Sequence, residues 1–158
     1  MTLTGDFGGD FGPSFLQARI DRDIALAKHI GVVVEAADDH ALVLCAPLQP
    51  NANHKGTAFG GSLYSVAVLT GWAWATRYLA MRGISADAVI QESNVQFLAP
   101  VHGDLRAHLA APAAAKIDKF RKMLERAGRG RIQLRVELRN EASVAARFEG
   151  LFAAALRP

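Results

Sequence analysis

From Ala58 to Met81 the sequence carries one charged residue, Arg77, and its apolar residues, Trp72, Trp74 and Tyr78 among them, fall on nearly every side of the helix they predict. That helix starts at Gly60 or Gly61, runs to about Met81 and is closed by Gly83. A helix without a polar face has to be enclosed by other apolar surface. The stretch Ala58–Ala75 reaches the minimum length of a membrane span, roughly 17 residues. Gly60, Gly61, Ser62, Ser65, Thr70 and Gly71 interrupt it, however, and no strongly basic flank would orient it in a bilayer. The expectation is a buried helix in a soluble domain.

The rest of the chain supplies the enclosing layer. Leu105, Ala107 and Leu109 alternate with Asp104, Arg106 and His108, and Ile132, Leu134, Val136 and Leu138 alternate with polar neighbours. This period of two marks antiparallel strands with one wet face. Val89–Leu98 and Val144–Leu156 read as further strands, with a tight turn at Asn140–Ser143. Ile30–Ala37 and Ala41–Ala46 read as a hairpin around Asp38-Asp39-His40. Two amphipathic helices complete the set. Phe15–His29 has Ser14 as its N-cap and Gly31 at its end, and Lys116–Ala127 is terminated by Gly128 and Gly130. Pro47–Thr57 is a loop.

A one-sided antiparallel sheet needs an apolar object on its dry face, and only the long helix is adequate. The fold class is therefore α+β: an antiparallel β-sheet wrapped around a long central α-helix, the hot-dog fold. Residues 1–14, rich in Gly, Asp and Thr, are expected to be a flexible N-terminus. Residues 15–158 are expected to form a single domain, large enough to bury roughly 70% of its unfolded surface.

Composition narrows the function. A net charge of +3 and a pI near 9.4 suit an anionic ligand but are too weak to argue for nucleic acid. One cysteine, Cys45, excludes an internal disulfide and makes a reducing cytoplasm the expected location. No signal peptide is visible. His29, His40, His102 and His108 show no metal-ligand spacing, so no metal is expected.

The chemistry concentrates in Asn53-His54-Lys55-Gly56-Thr57-Ala58-Phe59-Gly60-Gly61-Ser62, the turn that opens the buried helix. A helix start presents free N–H groups and the positive end of a dipole, and paired glycines let a ligand approach the backbone. Such a corner suits a polarised carbonyl oxygen or a phosphate. The other reading of Gly60 and Gly61 is tight packing of helix on sheet.

With these residues in view, the chain resembles the hot-dog acyl-thioester hydrolases. It is most similar to the thioesterase domain found C-terminal to some bacterial acetyltransferases. The resemblance rests on Asn53 through Ser65 and on Glu92-Ser93-Asn94-Val95-Gln96-Phe97-Leu98-Ala99-Pro100, and spans roughly Ile30 to Leu156. The broader thioesterase pattern, Asn then six residues then Gly-Gly, falls on Asn53, Gly60 and Gly61. Where relatives have His before the glycines this chain has Phe59. Where they carry a catalytic acid two turns into the helix it has Val68, and no carboxylate occurs from Lys55 to Ala86.

The resemblance implies hydrolysis of acyl-CoA or acyl-carrier-protein thioesters. Backbone N–H groups near Gly60 to Ser62 would hold the oxyanion, and Asn53 would bind the thioester carbonyl or the attacking water. Asn53 read without the motif is equally a turn-forming residue. Glu92 is the candidate general base, brought from a strand that approaches the partner's helix start in hot-dog dimers; its alternative is a strand-end residue paired to Arg106 or Arg135, or simply solvated. His54, Lys55, Phe59, Ser62, Ser65 and Ser93 are the candidate substrate-binding residues. His54 reads equally as a solvent-facing loop residue, and Ser62 as a helix-capping one. The basic residues of the Lys116–Ala127 helix, with Arg129 and Arg131, either contact a coenzyme A phosphate or form a wet helix face. No cofactor is expected beyond the coenzyme A moiety of the substrate. The expected assembly is a homodimer or a dimer of dimers, with neither nucleic acid nor membrane as partner. A non-catalytic acyl-thioester binder is the alternative that Val68 favours. Hydratase chemistry wants a His where Phe59 stands.

Overall fold

The computed structural model describes residues 9–158. Its elements are α1 (Pro13–Asp23), α2 (Ala25–Ile30), β1 (Val33–Ala37), β2 (Ala41–Ala46), α3 (Gly60–Met81), β3 (Ala86–Phe97), β4 (Leu105–Ala110), α4 (Ala114–Ala127), β5 (Arg129–Arg139) and β6 (Val144–Leu156). The six strands form one antiparallel sheet in the order β1-β2-β4-β5-β6-β3. The sheet wraps α3, which packs against every strand from β2 to β6. This is the hot-dog architecture that the apolar helix required.

The period-two residues face as expected. Leu105, Ala107 and Leu109 of β4 and Leu134, Val136 and Leu138 of β5 are buried against α3. β6 adds Phe148 and Phe152 to the same face. Gly71 of α3 is needed for close approach, because a Cβ there would collide with the Phe152 ring. Small size at that position lets the middle of the helix lie directly on the sheet.

Several boundaries differ from the sequence expectation, each for a local reason. The first helix is two. Ile24 is extended (φ −124°, ψ 91°) and separates α1 from α2. Pro13 lacks an N–H and suits the first helical turn, so α1 begins there with Gly12 as N-cap; Ser14 is already inside the helix. Ile30 belongs to α2, and Gly31 turns the chain with φ 71° before β1. The loop after β2 holds a short 3-10 turn at Gln49–Asn51. Gly128 ends α4 in the left-handed conformation, whereas Gly130 is a buried strand residue of β5, so it does not terminate the helix. A side chain there would meet the Phe120 carbonyl at 3.0 Å. Of the N-terminal stretch expected to be flexible, residues 1–8 lie outside those described, and Pro13 and Ser14 are helical.

Two polar devices fix the ends of the sheet. The Gln17 carboxamide accepts from the Val34 N–H (2.8 Å) and donates to the Val32 carbonyl (3.1 Å), tying α1 to the start of β1. In the β1–β2 hairpin Asp38 accepts from the His40 and Ala41 N–H groups at 2.7 and 2.9 Å. Those N–H donors hold its carboxyl below the ordinary carboxylate range.

β3 is the outer strand on one side of the sheet, and it carries a bulge. Ile90 pairs with Phe152 and Glu92 with Leu151, which leaves Gln91 as the extra residue. Along this edge Val89, Phe97 and Leu98 are exposed, and so is Phe59 at the helix start.

Candidate active site at the start of the central helix

Buried Asn51 anchors the approach to α3. Its side-chain N–H₂ donates to the Ile30 and Pro47 carbonyls, both at 2.8 Å, and its backbone carbonyl accepts from the Phe59 N–H at 2.7 Å. Sequence reading missed this residue, since nothing in Gln-Pro-Asn signals that one of its polar side chains is buried. The Ala58 N–H is bound by the Val101 carbonyl at 2.9 Å, so the chain enters the helix from a fixed direction.

Asn53 shapes the turn that follows. Its Oδ1 accepts from the Lys55 N–H (2.9 Å) and the Thr57 N–H (3.1 Å), and its Nδ2 donates to Thr57 Oγ1 (2.8 Å). The turn is completed by Gly56, whose N–H reaches the Asn53 carbonyl at 3.0 Å. Asn53 thus takes the turn-forming role, with its oxygen directed at its own loop. His54 and Lys55 are exposed at the tip. Asn53→Ala should lower stability by about 1 kcal/mol and accelerate amide exchange at Lys55 and Thr57, measured by NMR.

Beyond Thr57 the helix mouth is open to an acceptor. Phe59 is the N-cap with φ −66° and ψ 134°, and no side chain caps the helix. The Ser62 and Leu63 N–H groups both return to the Phe59 carbonyl at 3.0 Å. Among the described residues, neither the Gly60 nor the Gly61 N–H has a backbone or side-chain acceptor. These two donors stand at the positive end of a 22-residue helix. Gly61 also gives room to the exposed Phe59 ring, which a Cβ at Gly61 would strike. The Ser65 hydroxyl donates back to the Gly61 carbonyl at 2.8 Å, within the helix.

The neighbouring wall comes from β3. The Phe97 ring lies 3.6 Å from where a Gly60 Cβ would stand. Ser93 pairs with Gly150 and Val95 with Phe148, in register with the buried side of β6, so both face α3. Tyr64, one turn into α3, makes a hydrogen bond with Ser93, Oη to Oγ at 2.8 Å. Its ring meets Phe148 edge-on at 5.8 Å. Tyr64 was not among the predicted site residues; its signal in the sequence was one-turn spacing from Gly60.

Glu92 lies elsewhere. The bulge at Gln91 precedes both Glu92 and Ser93, so the two still alternate, and Glu92 faces outward with Leu151. It is exposed and makes no ion pair among the described residues; Arg106 is held by Glu35 and Arg135 by Glu149. The structure therefore brings together Gly60, Gly61, Phe59, Ser65, Ser93 and Tyr64; Ser62 takes part only through its backbone N–H, and Glu92 is left on the other side of the sheet. The side chain of Val68 offers no proton acceptor. No group of residues with metal-ligating capacity occurs among the described residues. Three cavities of the single chain, of about 1110, 550 and 330 Å³, lie away from the helix mouth.

Residues 14–156 match the protein family described as "Putative thioesterase (yiiD_Cterm)". The chain belongs to this thioesterase family. The match begins at the N-terminal helix and so exceeds the stretch from Ile30 that carried the resemblance. A solved structure of a protein of unknown function from Chlorobaculum tepidum TLS is 31% identical, with 93% of this chain and 98% of that one covered and a TM-score of 0.89. A protein described as a "putative thioesterase" from Shewanella oneidensis is 24% identical over 92% of this chain and 97% of its own, with a TM-score of 0.81. The thioesterase HI1161 from Haemophilus influenzae shares the fold at 14% identity, covering 96% of each chain with a TM-score of 0.72.

Proposed function

We propose that this thioesterase hydrolyses acyl-CoA or acyl-carrier-protein thioesters, holding the thioester oxygen at the start of α3. The observation that carries the reading is the pair of unpartnered N–H groups of Gly60 and Gly61 at a helix N-terminus. Fixed backbone donors of this kind favour the charge that develops on the carbonyl oxygen as water adds. The tetrahedral adduct then expels the thiolate and leaves the carboxylic acid.

The central helix carries no carboxylate and Glu92 faces away, so in this reading the Tyr64–Ser93 hydroxyl pair is the group that orients the attacking water. Tyr64→Phe keeps the ring on Phe148 and removes only the hydroxyl. It should lower kcat about tenfold with little change in Tm, measured by thiol release and by thermal unfolding. An unchanged kcat would remove the pair from the mechanism.

The site is completed by a second copy of the chain in this reading. β3 leaves one side unpaired along the sheet, bordered by exposed Val89, Phe97 and Leu98, and an unpaired apolar edge is stabilised by another strand. A strand added there continues the sheet with its faces preserved, so Glu92 stays on the outer side in the dimer as well. Sedimentation should give a dimer or a dimer of dimers. A cytoplasmic location is consistent with the single cysteine.

A panel of short, medium, long and aryl acyl-CoAs, with acyl-carrier proteins beside them, tests the proposal by following thiol release. Saturable release supports hydrolysis. Tight binding without turnover across the panel would favour the non-catalytic reading, for which the apolar Val68 is the specific observation.

A further inference from the structure

On the opposite side of the sheet from Tyr64 lies a groove of about 1110 Å³ between α4 and the outer face of β3, β5 and β6. Its floor is apolar. Val89, Ala153 and Ala155 alternate outward from two adjacent strands, and Met123 of α4 closes one side. Ala153 and Ala155 present only methyl groups, so the strand backbone is accessible to a planar ring.

The rim is cationic, and most of its charge is not neutralised among the described residues. Two acids border the groove. Asp87 is paired with Arg157 at 2.6 Å, and Asp118 with Arg121 at 2.6 Å and Lys122 at 2.7 Å. Lys119, Arg126, Arg129 and Arg131 also border it, and among the described residues none of these has an ion-pair partner. Elsewhere on this face Arg135 is paired with Glu149, Arg139 with Glu137 and Arg106 with Glu35, while Arg147 has no ion-pair partner among the described residues. Four cations without an ion-pair partner among the described residues thus border this apolar recess.

We propose that this groove binds a nucleotide carrying two or more phosphate groups. The base lies on the Val89–Ala153–Ala155 floor, and the phosphates meet Lys119, Arg126, Arg129 and Arg131. A single carboxylate would satisfy one of these side chains. Four cations around one recess call for a multivalent anion, and guanidinium groups bind phosphate oxygens through paired N–H donors. The apolar Val89–Ala153–Ala155 floor offers contact to the face of a base. Free nucleotides and the nucleotide end of coenzyme A share this chemistry. The site does not rest on the hydrolytic reading, since it lies on the other face of the sheet from Gly60 and Gly61.

The test is titration calorimetry of the full chain with ADP, ATP, coenzyme A, adenosine and inorganic pyrophosphate, repeated with Arg129→Gln/Arg131→Gln. Both arginines are exposed, so the variant should fold as wild type, checked by circular dichroism. The expected result is saturable binding of ADP, ATP or coenzyme A, weaker binding of pyrophosphate and none of adenosine. The double variant should raise Kd at least about tenfold, and 0.5 M salt should weaken binding, as expected for a charge-driven contact. Arg135→Gln, outside the groove, should change nothing. Binding of coenzyme A without ADP or ATP would assign the site to the thioester's own nucleotide; the reverse would assign it to a free effector. Absence of binding by all three nucleotides overturns the proposal. So does a double variant that binds like wild type, or one that changes only the sedimentation of the protein, which would make the groove a contact between copies. A chain that binds nucleotide but hydrolyses no thioester would overturn the function proposed above and leave this site standing.

Discussion

Gly60→Pro should leave the fold intact and reduce thioester turnover about 10²–10³-fold, the usual cost of removing one oxyanion donor. Proline removes the Gly60 N–H and nothing else the helix needs. Gly60 is the first residue of α3, where a missing N–H breaks no intrahelical bond and φ near −65° is already helical. Phe59, which precedes it, has φ −66° and ψ 134°, a conformation that proline accepts in its predecessor. The added side chain would lie 3.6 Å from the Phe97 ring, an ordinary contact. Gly60→Ala is the control, because it adds the same Cβ and keeps the N–H. Steady-state thiol release on both variants, with Tm alongside, separates the donor from packing. Wild-type turnover in Gly60→Pro would mean that the oxyanion is held elsewhere.

Phe152→Ala should cost about 3–5 kcal/mol in urea unfolding, a large share of the roughly 5–15 kcal/mol that holds a domain of this size together. Phe152 is 1% exposed and sits where the central helix touches the sheet most closely, opposite Gly71. The same geometry predicts strong coupling. A side chain at Gly71 collides with the Phe152 ring in the wild type but points into the space that Phe152→Ala vacates. Gly71→Leu should therefore be destabilising alone, yet restore more than about 1 kcal/mol on the Phe152→Ala background. Additive losses would show that helix and sheet do not meet through this pair.

The sequence made most of the fold legible because its signals were periodic. Leu105-Ala107-Leu109 and Ile132 through Leu138 could serve only a one-sided strand, and Gly60–Met81 could serve only an enclosed helix. Errors arose where one residue changes parity or a boundary. Pro13 moved the start of α1, Ile24 split a helix that reads as continuous, and Gly130 looked like a terminator while serving as a strand residue beneath Phe120. At the candidate site the paired glycines and Ser93 were legible from motif and spacing. Asn53 was read either as a carbonyl- or water-binding residue or as a turn former, and its partners are in its own turn.

What the sequence determined alone is the presence of a buried helix with a polar, glycine-bearing entrance, since no other arrangement hides that much apolar surface. Tertiary structure decided which side chains share a face with that entrance. Glu92 and Ser93 are adjacent in sequence and nearly equivalent as motif residues, yet pairing with Leu151 or Gly150 sends them to opposite sides of the sheet. The cationic groove has the same origin, since α4 folds back over strand residues far from it along the chain. Sheet register and helix packing are set by contacts between distant segments, and these contacts alone decide which charges meet.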